Sequence, residues 1–173
     1  YTVSDDANNT DTATITITVR GINDPITAVN DADAVSEDKS ISRSTSSSQE
    51  LDHDDTDPDG DDASGSFTIT AIRTGRESSS SGNVTGTVGE VLNGTYGALT
   101  VSSNGSYLYA ATRSGADALA AGATAIDYFT YTVRDHSGGD TDTAELAITV
   151  TGVGPGAVND TDTVAENGSL NRN

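Results

Sequence analysis

Cysteine, methionine and tryptophan are all absent from this 173-residue sequence. Without cysteine there is no disulfide and no thiolate metal site. A chain without disulfides must be held by its core, by bound metal or by neighbouring domains. Histidine is scarce too, with only His53 and His136, both in acidic polar stretches; zinc normally draws on more imidazole or thiolate than that. Ser and Asp are so plentiful that a Ser-His-Asp triad assembled on paper carries no weight, so no catalytic residue is expected and the chain reads as a non-enzyme. Basic residues are few: 8 Lys and Arg stand against 27 Asp and Glu, a formal charge of −19 and a pI near 4.1. Such a surface repels nucleic acid and anionic membranes, because both need Lys or Arg to displace counterions. It attracts cations instead, since so many carboxylates without counter-charge oppose a compact state. No apolar run approaches the ~18 residues of a membrane span, and no basic-then-apolar leader opens the sequence. Neither a nucleic-acid partner nor direct membrane insertion is expected.

Aromatic residues make up only 5% of the sequence and the mean hydropathy is −0.40, a composition that permits disorder. Patterning argues otherwise, because the apolar residues gather into short alternating runs. The runs repeat. Tyr1-Thr2-Val3-Ser4-Asp5, then Thr10-Asp11-Thr12-Ala13 and Ile15-Thr16-Ile17-Thr18-Val19, return as Tyr131-Thr132-Val133-Arg134-Asp135, Thr141-Asp142-Thr143-Ala144 and Leu146-Ala147-Ile148-Thr149-Val150. Ala28-Val29-Asn30-Asp31, Val35 and Glu37 likewise match Ala157-Val158-Asn159-Asp160, Val164 and Glu166. The offset of about 130 residues is that of a domain-sized bead and not a solenoid turn. The expected organisation is residues 1–24 as the last strands of a preceding repeat, 25–153 as a complete repeat, and 154–173 as a linker and the first strand of a following one. Tyr1 stands inside a strand-like pattern, so a segment of a longer chain is expected.

Within the central unit, Phe67–Ile72, Leu99–Val101, Tyr107–Tyr109, Tyr128–Val133 and Leu146–Val150 read as strands separated by turn residues. Asn104-Gly105 is the signal of a tight hairpin, since a two-residue turn of that kind needs positive φ at both positions. Only Ala116–Ala121 suggests helix, and one short turn of it. The fold class is all-β, an antiparallel β-sandwich in a tandem array. Ser40–Ser48 and Ser78–Ser81 read as exposed loops. Six Asn-X-Ser/Thr sequons occur, at Asn8, Asn83, Asn93, Asn104, Asn159 and Asn167, several of them simply Asn-Gly turns before a small residue.

The strongest chemical signal is Asp52-His53-Asp54-Asp55-Thr56-Asp57-Pro58-Asp59-Gly60-Asp61-Asp62, with seven carboxylates in eleven residues. Like charges at ~4–6 Å oppose one another, and a hard divalent cation resolves this, because Ca²⁺ accepts 6–8 oxygens with flexible geometry. The alternation of acids with small residues lets Asp55, Asp57, Asp59 and Asp61 converge on one ion. Asp55-x-Asp57-x-Asp59-Gly60 begins like an EF-hand loop. The twelfth position, where that loop needs a bidentate Glu, is Ser66, and a strand-like run follows where a helix is required. The EF-hand is rejected. Acids also recur where units meet: Asn23-Asp24, then Asn30-Asp31-x-Asp33 with Glu37, and Asp135 at a strand end. Asn159-Asp160-x-Asp162 and Glu166 repeat that arrangement at the following junction.

These pieces, in order, are Gly21-Ile22-Asn23-Asp24-Pro25, Ala28-Val29-Asn30-Asp31, Glu37-Asp38, Asp54-Asp55-Thr56-Asp57-Pro58-Asp59-Gly60-Asp61, Gly94-Thr95-Tyr96-Gly97-x-Leu99-Thr100, Asn104-Gly105-Ser106-Tyr107-x-Tyr109 and Phe129-Thr130-Tyr131-Thr132-Val133-x-Asp135. Together they resemble the VCBS and bacterial cadherin-like repeats of giant RTX-type adhesins, over essentially the whole sequence. The resemblance implies an immunoglobulin-like or cadherin-like sandwich strung in tandem, with Ca²⁺ stiffening the junctions. It also implies type I secretion to the bacterial surface or exterior, with roles in adhesion, biofilm or surface extension. By position it implies Glu37, Asp55, Asp57, Asp59, Asp61 and Asp135 as ligands, with Asn23, Asp24, Asn30, Asp31 and Asp33 at the first junction. The sequence departs from the family where Asp54 replaces the usual Asn, and where Gly152-Val153-Gly154-Pro155-Gly156 stands for Gly-Ile-Asn-Asp-Pro.

The expected partners are neighbouring repeats of the same chain or adjacent copies. Two alternatives stay open at this point. One is a module binding a glycan or surface protein, with Tyr96, Tyr107, Tyr109 and Tyr128 as stacking platforms, although their alternation with apolar residues suits core or sheet-face packing. The other is a fibre whose subunits complete one another by strand exchange through residues 1–20 and 155–173.

Overall fold

The structure, a computed structural model, describes residues 1–47, 49–59, 67–79, 81–136 and 139–154. Among them the strands in chain order are β1 (Thr2–Ser4), β2 (Thr10–Thr12), β3 (Asp31–Ser36), β4 (Ser40–Arg43), β5 (Thr68–Thr74) and β6 (Thr85–Gly86). Then follow β7 (Val91–Asn93), β8 (Ala98–Val101), β9 (Tyr107–Ala110), β10 (Thr124–Arg134) and β11 (Thr141–Thr151), with one helical turn, α1 (Ser114–Asp117), between β9 and β10. The expected all-β sandwich is what forms.

Alternation writes the long strands. In β11, Ala144, Leu146, Ile148 and Val150 are buried while the residues between them face outward, the period of a strand with one face on a core. β10 runs antiparallel to it with Thr130 opposite Glu145, and Phe129, Tyr131 and Val133 point inward. These two are the centre of a five-stranded sheet in the order β3-β11-β10-β5-β6. The second sheet, β4-β9-β8-β7, supplies Leu92, Leu99, Val101, Tyr107 and Tyr109 to the same core. Tyr109 meets Phe129 edge to face across it, ring centroids 6.2 Å apart, the arrangement that aromatic quadrupoles favour.

One pairing departs from the antiparallel expectation: β3 lies parallel to β11, Asp31 opposite Leu146 and Ser36 opposite Thr151. The reason is topological, because the chain enters and leaves the sandwich at opposite ends, so its first and last strands run the same way. Three local expectations also shift. The Asn104-Gly105 hairpin is not a two-residue turn: Val101 pairs with Tyr107, leaving five residues in the loop. Only Gly105 has positive φ there, at 78°, the pattern of a longer hairpin loop with glycine in the left-handed position. The helical turn stops at Asp117 and not Ala121, because Leu119 N–H bonds back three residues to Ala116 O at 2.8 Å, which tightens and ends it. Ile15–Val19, expected as a strand, has no strand partner among the described residues, and Ile17 and Val19 are 79% and 87% exposed.

The β1–β2 hairpin reproduces the tip of the β10–β11 hairpin. Thr2, Val3 and Ser4 pair with Thr12, Asp11 and Thr10 as Thr132, Val133 and Arg134 pair with Thr143, Asp142 and Thr141. The turn acid is alike too. Asp5 Oδ1 accepts the N–H of Asn9, and Asp135 Oδ1 accepts the N–H of Gly139, four residues on in each case.

Candidate metal centre

The segment that leads into β3 crosses one end of the sandwich, laid along the loop before β5 and the turn between β10 and β11. A single bridge, Thr27 with Thr56, fastens it, with N–H···O bonds of 2.9 and 3.0 Å in the two directions. Side-chain oxygens do the rest. Ala28 N–H donates to Asp142 Oδ2 at 2.9 Å, Val29 N–H to Asp55 Oδ1 at 2.8 Å and Asp24 N–H to Asp59 Oδ2 at 2.7 Å. The Asn23 amide donates to Asp140 Oδ2 at 2.9 Å and more weakly to Asp135 Oδ2 at 3.5 Å. Asp57 Oδ1 accepts from Asp59 N–H at 2.9 Å, an Asx turn that curls the loop.

Asn23, Asp24, Asp55, Asp57, Asp59 and Asp135 are thus brought to one end of the molecule. Two acids that the sequence reading passed over join them. Asp140 and Asp142 lie in the Thr-Asp-Thr repeat and its preceding turn, and the recurrence of that acid at Asp11 was the available signal. Asn30 Oδ1 accepts Glu145 N–H at 2.7 Å. Asp33 is held by Arg43 through both oxygens at 2.7 Å, with the Tyr107 hydroxyl at 2.9 Å. Glu37 is elsewhere: its Oε2 accepts Val153 N–H at 2.9 Å where the chain leaves the sandwich. At ~3.3 Å per residue, β3 separates it from Asp31 by roughly 20 Å, so within one domain it shares no ion with Asp55. Asp61, Asn159, Asp160, Asp162 and Glu166 lie outside the described residues.

The electrostatics of this end are strained. Asp55 is 0% exposed, and its Oδ2, like Asp57 Oδ2, has no hydrogen-bond partner. Burial pushes the Asp55 carboxyl up to about 7, against the opposing bond from Val29 and with Asp54, Asp52 and Asp142 adding to the rise. Asp31 is driven to about 8, chiefly by burial, although the Tyr131 hydroxyl pulls the other way. That hydroxyl lies against three acceptors, Val29 O at 3.0 Å, Leu51 O at 2.9 Å and Asp31 Oδ2, and has one proton to give. A protonated Asp31 satisfies the arrangement by donating. Asp33 shows the contrast: burial would raise it, but Arg43, Ala34 N–H and Tyr107 outweigh that and hold it below the usual carboxylate range.

Oxygen-only donors, buried and partly without partners, fit a hard cation in kind. Among the described residues no group of three or more His, Cys, Asp or Glu is placed to hold a metal ion. Three of the four tyrosines raised as stacking platforms are engaged elsewhere, and Tyr96 is partly buried against the core. Tyr107 and Tyr109 are in the core, and Tyr128 lies under the Arg76 guanidinium, 3.7 Å from its ring centroid.

The model of the bacterial cadherin-like domain matches residues 23–152, from the crossing segment to the end of β11. The chain belongs to the bacterial cadherin-like domain family. Such β-sandwich domains are generally non-catalytic extracellular modules of structural or adhesive type, and they generally bind calcium. No curated protein matches the chain. No helix among the described residues is long and apolar enough to cross a membrane.

Proposed function

We propose that this cadherin-like domain is a calcium-stiffened extender repeat of a large secreted or cell-surface adhesin, serving surface extension, adhesion or biofilm. Residues 1–24 then belong to the preceding repeat and 154–173 to the following one. Export by type I secretion and kinship with VCBS repeats rest on the motif resemblance. The observation that carries the reading is the convergence of the Asn23–Val29 segment on Asp55, Asp59, Asp135, Asp140 and Asp142, with Asp55 Oδ2 and Asp57 Oδ2 buried and without a hydrogen-bond partner. The matching β1–β2 and β10–β11 hairpin tips support an array.

Glu37 at the exit end and the Asp55–Asp59 loop at the other suit a division of labour in which each junction ion takes ligands from two successive beads. Without the ion, carboxylates repel across the hinge and bent states are favoured. With it, beads are drawn into line. Small-angle scattering of the 173-residue chain tests this: a longer maximum dimension in calcium than in chelator is expected, and identical profiles would remove the stiffening role.

A further inference from the structure

A second acidic feature stands beside the junction and uses none of its residues. In the connection between β4 and β5, Glu50 and Asp52 flank Leu51, whose side chain is fully buried. The Leu51 backbone is pinned twice: its N–H donates to Gly105 O at 3.2 Å and its carbonyl accepts the Tyr131 hydroxyl at 2.9 Å. This holds Asp52 inward against the β8–β9 turn, with Glu50 buried close enough to oppose its charge. Glu50 is 4% and Asp52 0% exposed, yet Glu50 Oε2 and both oxygens of Asp52 lack any hydrogen-bond partner. Buried polar groups are almost always satisfied, and buried charges are paired or bind a cation. Among the described residues no other residue gives a donor to these three oxygens, and the neighbouring His53 is exposed. The turn leaves room for the carboxylate. A Cβ added to Gly105 would stand 2.2 Å from Asp52 Oδ1, so any side chain there fills the space.

We infer that Glu50 and Asp52 form a second cation site, which takes one Ca²⁺ and clamps the β4–β5 connection to the β8–β9 turn. The two carboxylates carry the charge that a divalent ion balances. Their hard oxygens exclude soft-metal chemistry, and an irregular set completed by water or backbone oxygen suits Ca²⁺ better than the strict octahedron of Mg²⁺. The site shares no ligand with the proposed junction set, although Asp52 lies close enough to add to the rise of the Asp31 and Asp55 carboxyls.

The test counts bound ions on the full 173-residue chain by equilibrium dialysis and titration calorimetry, with Ca²⁺ and Mg²⁺ in separate arms. Wild type is compared with Glu50→Gln/Asp52→Asn and with Asp57→Asn/Asp59→Asn. The first variant is expected to bind one calcium fewer than wild type and to melt higher than wild type in chelator, since two unsatisfied charges are gone. The second should retain that calcium, and Ca²⁺ should be preferred to Mg²⁺ at least tenfold. An unchanged calcium count in Glu50→Gln/Asp52→Asn would overturn the site, as would equal affinity for Mg²⁺. If the double variant gives no cooperative melt, Asp52→Asn alone is read in the same way, with at least a tenfold loss of affinity expected at one site and unchanged binding overturning it.

Discussion

Two buried carboxylate regions of this domain have opposite fates. Asp127, the lone acid inside β10, is enclosed by donors: Thr95 N–H at 2.8 Å, Tyr96 and Gly97 N–H at 3.0 Å each, and the Tyr109 hydroxyl at 2.7 Å. The chain bends around it at Gly94, where a Cβ would stand 2.4 Å from Asp127 Oδ2. At the end where the Asn23–Val29 segment crosses the sandwich, Asp31 and Asp55, with Asp52 beside them, are also withdrawn from water, but donors are too few and their neighbours are other acids. The residue type is the same and the surroundings decide. A carboxylate that the fold supplies with donors is a structural post. One that the fold buries and leaves short is the place where the proposed cation would act.

That contrast breaks most visibly at Asp127. Asp127→Ala strands three backbone N–H groups and a buried hydroxyl, at about 1–3 kcal/mol for each group left unsatisfied. A loss of about 3 kcal/mol or more is expected, a fall in Tm on the order of 10 °C, equal in calcium and in chelator. A calcium-dependent loss would merge the two regions into one.

The next effect is a pH profile. Asp52, Asp55 and Asp31 rise from 3.8 to about 6, 7 and 8 on folding, so the folded state holds protons that the unfolded state has released. Without metal, the stability these groups confer is complete below pH 3.8 and is lost as pH rises through their folded values, up to about 8. Asp33, held low by Arg43, acts in the opposite sense and loses its contribution as pH falls below its ordinary value. In chelator the melting temperature is therefore expected to be higher near pH 5 than near pH 8. Asp55→Asn, which removes one titrating charge, should flatten the slope, and a slope unchanged by that substitution would take Asp55 out of the strained set.

The contrast also marks how far the sequence could be read. Alternation in Tyr128–Val133 and Leu146–Val150 exposed the central strands, because burial on one face leaves a period of two. The density of acids in Asp52–Asp62 and their recurrence at Asn23-Asp24 and Asp135 pointed to the acidic end where Asn23, Asp24, Asp55, Asp59 and Asp135 meet, since charge crowding is visible without coordinates. The parallel β3–β11 pairing was not legible, because nothing in Asp31–Ser36 specifies a partner more than 100 residues away. Nor was Asp127, whose donors come from about 30 residues upstream. Gly94-Thr95-Tyr96-Gly97 was noticed as a motif, and its physical purpose is that cradle. That Glu37 and Asp55 stand at opposite ends of the sandwich was not legible either, because sequence position does not tell which end of a strand faces which neighbour.

Calcium-linked proton release addresses neutralisation of the acidic end most directly. With Asp31 and Asp55 raised to about 8 and 7, part of the metal-free population carries protons there at pH 7. An ion binding among these oxygens must displace them. Titration calorimetry at pH 7 in two buffers of different ionisation heat should show saturable binding with protons released in step with calcium uptake. Heat that neither saturates nor depends on the buffer would contradict it.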